Sequence, residues 1–363
     1  MKILVAMSGG VDSSVTAALL QRENHEITGL FMRNGVTAGK AAANHKQGCC
    51  SLADSQDARF VASQLGAKFY VLNFEQDFER VIRYFVDEYK RGRTPNPCAD
   101  CNTDLKFGKL LDYADQLGAE KVATGHYARV EHRDGRWRLL RGRDHTKDQS
   151  YYLFGLTQTQ LSRALFPLGE LRKTDTRALA AEFGLKTRDK PESMEICFVP
   201  EGDYRAVVAA RDPDALKPGK VVSTSGEVLG EHAGIAGFTI GQRRGIGIAA
   251  PKALYVVKLD PATNTVTVGD EHELELRELR VENVNWISRQ GLPPGESMRA
   301  LVKVRYRHEG QPATLTGQED GSVQVVFDEP VKAASPGQCA VFYGGGITPD
   351  ADPEETHGGG WIA

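Results

Sequence analysis

Apolar positions in the first 130 residues fall into two alternating rhythms. Short unbroken runs at Ile3–Met7, Ile27–Met32, Phe69–Phe74 and Lys121–Thr124 read as strands buried on both faces. Between them, Ser13–Arg22, Asp54–Leu65, Asp77–Lys90 and Leu105–Leu117 carry apolar residues at helical spacing; in the first, Val15, Ala18, Leu19 and Arg22 share one face. Gly66 and Gly118 follow two of these helices, where a left-handed C′ residue belongs. Strands joined by helices of this length predict a doubly wound α/β domain, a parallel sheet covered on both faces. Ligands of such sheets sit beyond the carboxyl ends of the strands. That rule gathers Ser8–Ser14, Met32, Asn73 and Thr124-Gly125-His126 around one crevice. From Gln149 to about Val199 the pattern reads as further helix, clearest over Thr174–Phe183.

Beyond Pro200 the rhythm changes to short β-prone runs broken by Gly and Pro. Lys220–Ser223, Gly237–Ile240, Leu254–Leu259 and Thr265–Val268 predict a small β-rich central domain over 201–275. Period-two runs at Ala300–Arg307, Ala313–Thr316, Ser322–Phe327 and Gln338–Tyr343 predict a closed β-barrel over 276–349. The polar, glycine-rich end, 350–363, reads as a loose tail, and the α/β domain is assigned 1–200. A chain of 363 residues has room for these divisions.

Composition narrows the setting. No apolar run approaches the roughly 20 residues of a membrane span, and Met1-Lys2 leads straight into a core strand. The expectation is a cytoplasmic protein without a membrane partner. Six cysteines in so long a chain are too few for a disulfide scaffold, so they read as buried, metal-binding or catalytic. A net charge of −3 is uninformative, but local charge is not. Arg129–Lys147 holds seven Lys/Arg against three acids, and Lys303-Val-Arg305-Tyr-Arg307 would put three cations on one strand face. Two basic stretches in a mildly acidic chain suggest a polyanion touching separate regions.

The first crevice carries recognisable chemistry. In Ser8-Gly9-Gly10-Val11-Asp12-Ser13-Ser14, a strand turns through two glycines into a helix N-terminus. Free N–H groups and the helix dipole there make an anion cradle, the serines add hydroxyls, and Asp12 is suited to a magnesium ion bridging phosphates. The spacing is neither Walker A nor Rossmann. It looks like the PP-loop, SGGxDS, of the ATP pyrophosphatases, which cleave ATP to AMP and pyrophosphate.

The second informative stretch is Thr94-Pro95-Asn96-Pro97-Cys98-Ala99-Asp100-Cys101-Asn102, which its two prolines mark as a shaped loop. Cys98 and Cys101 form one Cys-x-x-Cys, without the second pair a zinc site needs, and without the helix-opening place after the first strand that a thioredoxin-like redox pair usually takes. A catalytic cysteine needs a partner; Cys197 is the candidate, with Lys190 and Arg188 upstream to lower its thiol pKa if the fold brings them near. Cys49 and Cys50 stay unassigned, and Cys339 in an apolar run reads as core.

Taken together these residues resemble the tRNA-specific 2-thiouridylases almost end to end. The resemblance rests on Ser8–Ser14, Leu30–Asn34, Gly92–Pro97 with Cys101-Asn102, Lys106-Phe107, Ala123–Tyr127, Lys147–Leu153, Ile196–Phe198 and Gly241–Ile246. It implies a PP-loop domain of adenine-nucleotide hydrolase type, a central domain and a C-terminal barrel. It implies ATP, with magnesium, at Ala6, Met7, Ser8, Gly9, Gly10, Val11, Asp12, Ser13, Met32 and Gly125. It makes Cys101 the nucleophile and Cys197 the persulfide carrier, the two joining in a transient disulfide. Asn96, Pro97 and Cys98 would contact the target base; Lys147, Asp148, Gln149, Arg305 and Tyr306 would contact tRNA. Some family members carry aspartate where Cys98 stands, which removes Cys98 as a universal catalytic thiol. The implied partners are a tRNA with a wobble uridine and an upstream persulfide donor, a cysteine desulfurase or relay protein.

Two alternatives share this scaffold. Cys98, Cys101 and Cys197 could bind three irons of a [4Fe–4S] cluster that delivers sulfide. An ATP-dependent amidating ligase would use the same loop but has no need of paired cysteines. His126 reads either as a nucleotide contact or as a packed residue at a strand end.

Overall fold

The computed structural model describes residues 1–35, 52–192, 196–199, 202–347 and 352–363. Cys49 and Cys50 lie outside the described residues. Two compact units emerge: Met1–Val81, Cys98–Gly202 and Glu354–Thr356 make the first, and Ile82–Pro97, Asp203–Pro353 and His357–Ala363 the second.

The first unit is built on a parallel sheet of β1 (Lys2–Ala6), β2 (Glu26–Arg33), β3 (Lys68–Asn73), β4 (Lys121–Ala123) and β7 (Ala164–Leu165). Its five strands lie in the order β3-β2-β1-β4-β7. β1 pairs in register with β2 (Ile3 with Ile27) and β4 (Ile3 with Lys121). Ile3 and Val5 join the core beneath α1 (Val11–Arg22) and α2 (Leu52–Gln64), while Leu4 on the opposite face is also fully buried. Burial on both faces explains why β1 is an unbroken apolar run; each such side chain contributes about 1.5–3 kcal/mol. The chain runs outward from β1 through β2 to β3, then returns to place β4 on the other flank of β1. The switch point therefore lies where β1 meets β4, immediately before the Ser8–Ser14 turn.

Two local expectations change here. Instead of a loop through Cys101, Pro97–Asp100 is already helical (α4) and runs into π-helical turns over Cys101–Lys109, then α5 (Leu110–Gln116). Pro97 opens this helix because the first turn needs neither its missing N–H nor a variable φ. The second change is the basic stretch, which forms a hairpin of β5 (Ala128–Arg133) and β6 (Arg136–Arg141). Asp134 and Gly135, both at positive φ, form its two-residue turn. Over its described residues the segment 149–199 is less helical than its pattern suggested, holding α6 (Gln158–Arg163), β7, α7 (Lys173–Glu182) and short 3₁₀ turns.

The second unit, which includes the end of α3 (Glu75–Lys90) and α8 (Tyr204–Arg211), holds two β-structures. β8 (Gly219–Ser223), β9 (Val228–His232), β10 (Tyr255–Asp260) and β11 (Thr265–Gly269) form a sheet ordered β10-β11-β8-β9. The strand expected at Gly237–Ile240 is absent. Ile235–Gly237 instead makes a buried 3₁₀ turn that sends Ile235 and Phe238 into the core beside Val221, Val256 and Val266. The larger structure has six strands: β12 (Glu275–Trp286), β13 (Ser297–Lys303), β14 (Gln311–Gly317), β15 (Val323–Lys332), β16 (Cys339–Tyr343) and β17 (Glu355–Ile362). Their order is β12-β15-β14-β13-β16-β17, and pairing of Val281 with Ile362 closes the barrel.

The chain end is therefore not a loose tail. β17 is buried except at Trp361, and its glycines admit a neighbouring backbone. A Cβ on Gly358 would overlap the carbonyl oxygen of Asn285, and one on Gly360 would lie 2.5 Å from that of Glu282. The expected cationic strand face also fails, because β13 stops at Lys303 and Arg305–Arg307 lie in the turn that follows.

Candidate functional site

The Ser8–Ser14 turn leaves β1 at Ala6 and enters α1 at Val11. Met7 is tied to β2 by its N–H to the Leu30 carbonyl at 2.8 Å. Gly9 has φ +75°, and a Cβ there would also overlap the Asp54 carbonyl oxygen, so no other residue fits. Gly10 is the N-cap in extended geometry and has no side chain to cap the first-turn N–H groups of α1. The serines shape the loop from within. Ser13 Oγ accepts from the Ser8 N–H at 3.1 Å, and the Ser13 and Ser14 hydroxyls donate to Gly10 O at 3.2 and 2.8 Å. What remains open is a helix N-terminus suited to an anion.

Met32 lies near the end of β2, and Gly125 just beyond β4, so they stand at the carboxyl ends of the two strands flanking β1. A Cβ on Gly125 would come within 3.0 Å of Asp12 and Ser13 atoms, so only glycine lets this turn close on the loop without a shift. His126 is buried beside the Phe107 and Phe166 rings, with Nδ1 2.7 Å from Thr124 Oγ1. Burial, reinforced by Lys106, holds its pKa well below the ordinary range. It is a packed strand-end residue in this structure.

Two groups that local pattern did not disclose contact Asp12, and a third stands behind one of them. Lys173 Nζ donates to Asp12 Oδ1 and Oδ2 at 2.7 and 2.8 Å, and the Tyr127 hydroxyl donates to Oδ1 at 3.0 Å. Burial and the Asp12 charge raise the Tyr127 pKa far above its usual value, so the phenol stays protonated. Glu192 Oε1 lies 3.2 Å from the same Lys173 ammonium. Lys173 is 8% exposed and opens α7, where its charge opposes the helix dipole. A lysine at that position was the one sequence signal that it serves something other than its helix.

Lys190 takes a different place from the one its proximity to Cys197 suggested. It donates to Gly9 O at 2.9 Å, Asp54 Oδ1 at 2.6 Å and Asp57 Oδ2 at 2.8 Å, bracing the loop from below. Burial disfavours the Asp57 charge, but Lys190 and Lys186 outweigh it and hold that carboxyl below its ordinary value. Arg188 pairs with Asp189. Neither cation is thereby assigned to the Cys197 thiol.

Cys98 and Cys101 lie one helical turn apart on the run that starts at Pro97, and both are half-buried, as is Cys197. Cys339 is fully buried in β16. Among the described residues no three His, Cys, Asp or Glu side chains are grouped to hold a metal ion. Cys98, Cys101 and Cys197 thus do not form the three-thiol set a cluster would need. Asn96 and Pro97, in the second unit, are buried. Their loop is fixed there by Gln338 Nε2, which donates to Thr94 O and Pro95 O at 3.1 and 3.2 Å.

Of Lys147–Gln149, Lys147 is half-buried and pairs with Glu192 at 2.7 Å. Asp148 is an internal staple, accepting from the Gly142 and Ser150 N–H groups at 3.1 and 3.0 Å; burial raises its pKa against those bonds. Gln149 is hydrogen-bonded to the Tyr127 backbone on both sides. Much of the basic hairpin proves charge-balanced. Arg129 and Arg143 meet Glu170 at 3.6 and 2.8 Å, and Arg138 meets Glu355 at 2.5 Å. In the second unit, Arg305 is exposed and donates to Lys332 O at 2.8 Å, while Lys303 lies over the Tyr306 ring.

Three family models match successive stretches. A "tRNA methyl transferase HUP domain" covers residues 1–201, a "tRNA methyl transferase PRC-barrel domain" 211–270, and an "Aminomethyltransferase beta-barrel domain" 276–362. Similar proteins align end to end. A tRNA-specific 2-thiouridylase MnmA of Solibacter usitatus is 47% identical over 99% of this chain and 98% of its own length. One of Geobacter metallireducens is 49% identical over 99% and 96%, and one of Acidobacterium capsulatum 48% over 99% and 98%.

Proposed function

The chain belongs to the tRNA-specific 2-thiouridylase family, and from that premise we propose that it transfers sulfur to C2 of the wobble uridine of tRNA at the expense of ATP. The observation that supports this most directly is the uncapped α1 N-terminus at the β1/β4 switch point, in the same unit as Cys101 and Cys197. Methyl transfer, the activity in two of the matched domain names, gives no role to an ATP-type loop. The relatives that align over the whole length are named for thiolation.

A uracil C2 oxygen is a poor leaving group. Transfer of AMP to it releases pyrophosphate and lets the oxygen depart as AMP. The N–H groups of Val11–Ser13 would hold the phosphates, Met32 and Gly125 would flank the nucleotide, and Asp12 would be the protein ligand of a magnesium ion. Such an ion would neutralise charge growing on the pyrophosphate. Because the wobble base lies in a single-stranded loop, presenting it past Asn96–Cys98 is cheap.

The sulfur arrives as a persulfide on Cys197. Its outer sulfur either attacks C2 directly or is released as hydrosulfide that attacks. In both routes the Cys101 thiolate attacks Cys197 Sγ, breaking the persulfide S–S bond and forming a Cys101–Cys197 disulfide. Two electrons from a thiol reductant reopen it. A persulfide relay protein or cysteine desulfurase reloads Cys197.

The test is to supply purified protein with magnesium–ATP, a persulfide source and unmodified tRNA bearing a wobble uridine, then analyse digested nucleosides by mass. ATP-dependent 2-thiouridine is expected. Pyrophosphate release without thiouridine would remove the proposed acceptor atom while keeping the adenylating loop. On the tRNA side, Arg305→Ala should weaken binding and lower the slope of log affinity against log salt by about one phosphate contact. An unchanged slope would leave Arg305 as a solvated turn residue.

A further inference from the structure

Glu192 stands between the two binding functions assigned to the first unit and belongs to neither. Its Oε2 accepts from Lys147 at 2.7 Å; its Oε1 lies 3.2 Å from Lys173 and 3.7 Å from Arg177. Lys173 in turn grips both oxygens of Asp12. Lys147, Glu192, Lys173 and Asp12 thus form a continuous chain of alternating charge. It runs from the segment assigned to tRNA to the loop assigned to ATP.

The partners are shared. One ammonium, buried at 8% exposure, serves two carboxylates, and one carboxylate serves two lysines. Burial disfavours the Glu192 charge, yet Lys147 and Lys173 more than offset it and hold its carboxyl below the ordinary range. Side chains so placed are electrostatically coupled, because the charge each carboxylate presents to the shared ammonium depends on the other cation it faces.

Resting on the function proposed above, we infer that Glu192 is a positioning residue that transmits tRNA occupancy to the nucleotide site. A tRNA phosphate at Lys147 draws that ammonium from Glu192. Glu192 then pulls more strongly on Lys173, and Lys173 loosens from Asp12. The Asp12 carboxylate would then be free to hold a magnesium ion accompanying ATP. By linkage, bound nucleotide tightens tRNA by the same factor. The arrangement favours ATP cleavage when an acceptor is present.

The experiment measures the Kd of magnesium–α,β-methylene-ATP by calorimetry, with and without unmodified wobble-uridine tRNA. Wild type, Glu192→Gln and Glu192→Asp are compared, with thermal midpoints recorded for each. In wild type, tRNA should tighten the nucleotide about tenfold. Glu192→Gln should reduce that factor below about twofold while each ligand alone still binds, and Glu192→Asp should restore most of it. A purely structural Glu192 would lower both affinities and the midpoint while leaving their ratio unchanged. A wild-type factor of one, or the wild-type factor in Glu192→Gln, overturns the inference and leaves the proposed function standing. Failure of wild type to bind either ligand overturns both.

Discussion

Cys197→Ser should abolish thiolation while leaving tRNA affinity and ATP-dependent pyrophosphate release within about twofold of wild type, since serine differs by one atom and cannot carry sulfane sulfur. Cys197 lies in a turn and is half-buried, so the substitution removes little packing. The loss should be complete rather than graded, because a hydroxyl offers no alternative route to a persulfide. Cys101→Ser gives the complementary result. Persulfide should still load on Cys197 and persist, with single-turnover product falling at least a hundredfold, as loss of a covalent participant does. Mass analysis of the intact protein reads the extra sulfur directly. Thiouridine formed by Cys197→Ser at the wild-type rate would remove Cys197 from the chemistry. Loss of both activities together would mean that the variant had lost its structure.

The parts of this molecule that were legible in its sequence are those whose physics is local. A strand buried on both faces, a glycine turn and a helix start occupy fourteen consecutive residues, and each constrains the next. The Ser8–Ser14 turn and helix start were therefore readable, along with the parallel sheet that carries them. The groups that complete the site were not. Lys173 reaches Asp12 across 161 positions and Lys190 reaches Gly9 across 181, so no periodicity links them. Charge counting misled at the hairpin, where Arg129 and Arg138 find Glu170 and Glu355 far along the chain. Glycine misled at the end. In β17 it admits a neighbouring strand's backbone, whereas composition alone made it look like slack. Proline misled in a smaller way, since Pro97 marks the start of a helix as readily as a loop.

Lys173→Met should lower the kcat/KM for ATP-dependent pyrophosphate release about a hundredfold or more, the usual effect of removing one preorganised charge from a developing anion. Lys173 is the buried cation of the loop: its ammonium is 2.7 Å from Asp12, beside the open N-terminus of α1. If Asp12 holds the magnesium ion of a bound nucleotide, as proposed, the phosphates would come within reach of that ammonium. Methionine keeps the stem's packing and removes the charge, which separates electrostatics from volume. The stability cost should be smaller than the 3–5 kcal/mol of a fully buried broken pair, about 1–2 kcal/mol, because the Asp12 side chain is 32% exposed. A modest fall in thermal midpoint with a large fall in rate is therefore the expected signature. Lys173→Arg should recover part of the rate, since it keeps the charge but spreads it over a plane that a single carboxylate and a point-like site match less well. Equal losses in Met and Arg variants, both tracking the thermal midpoint, would show that Lys173 only holds Asp12 and α7 in place. A full rate in Lys173→Met would put the charge that stabilises departing pyrophosphate elsewhere in the loop.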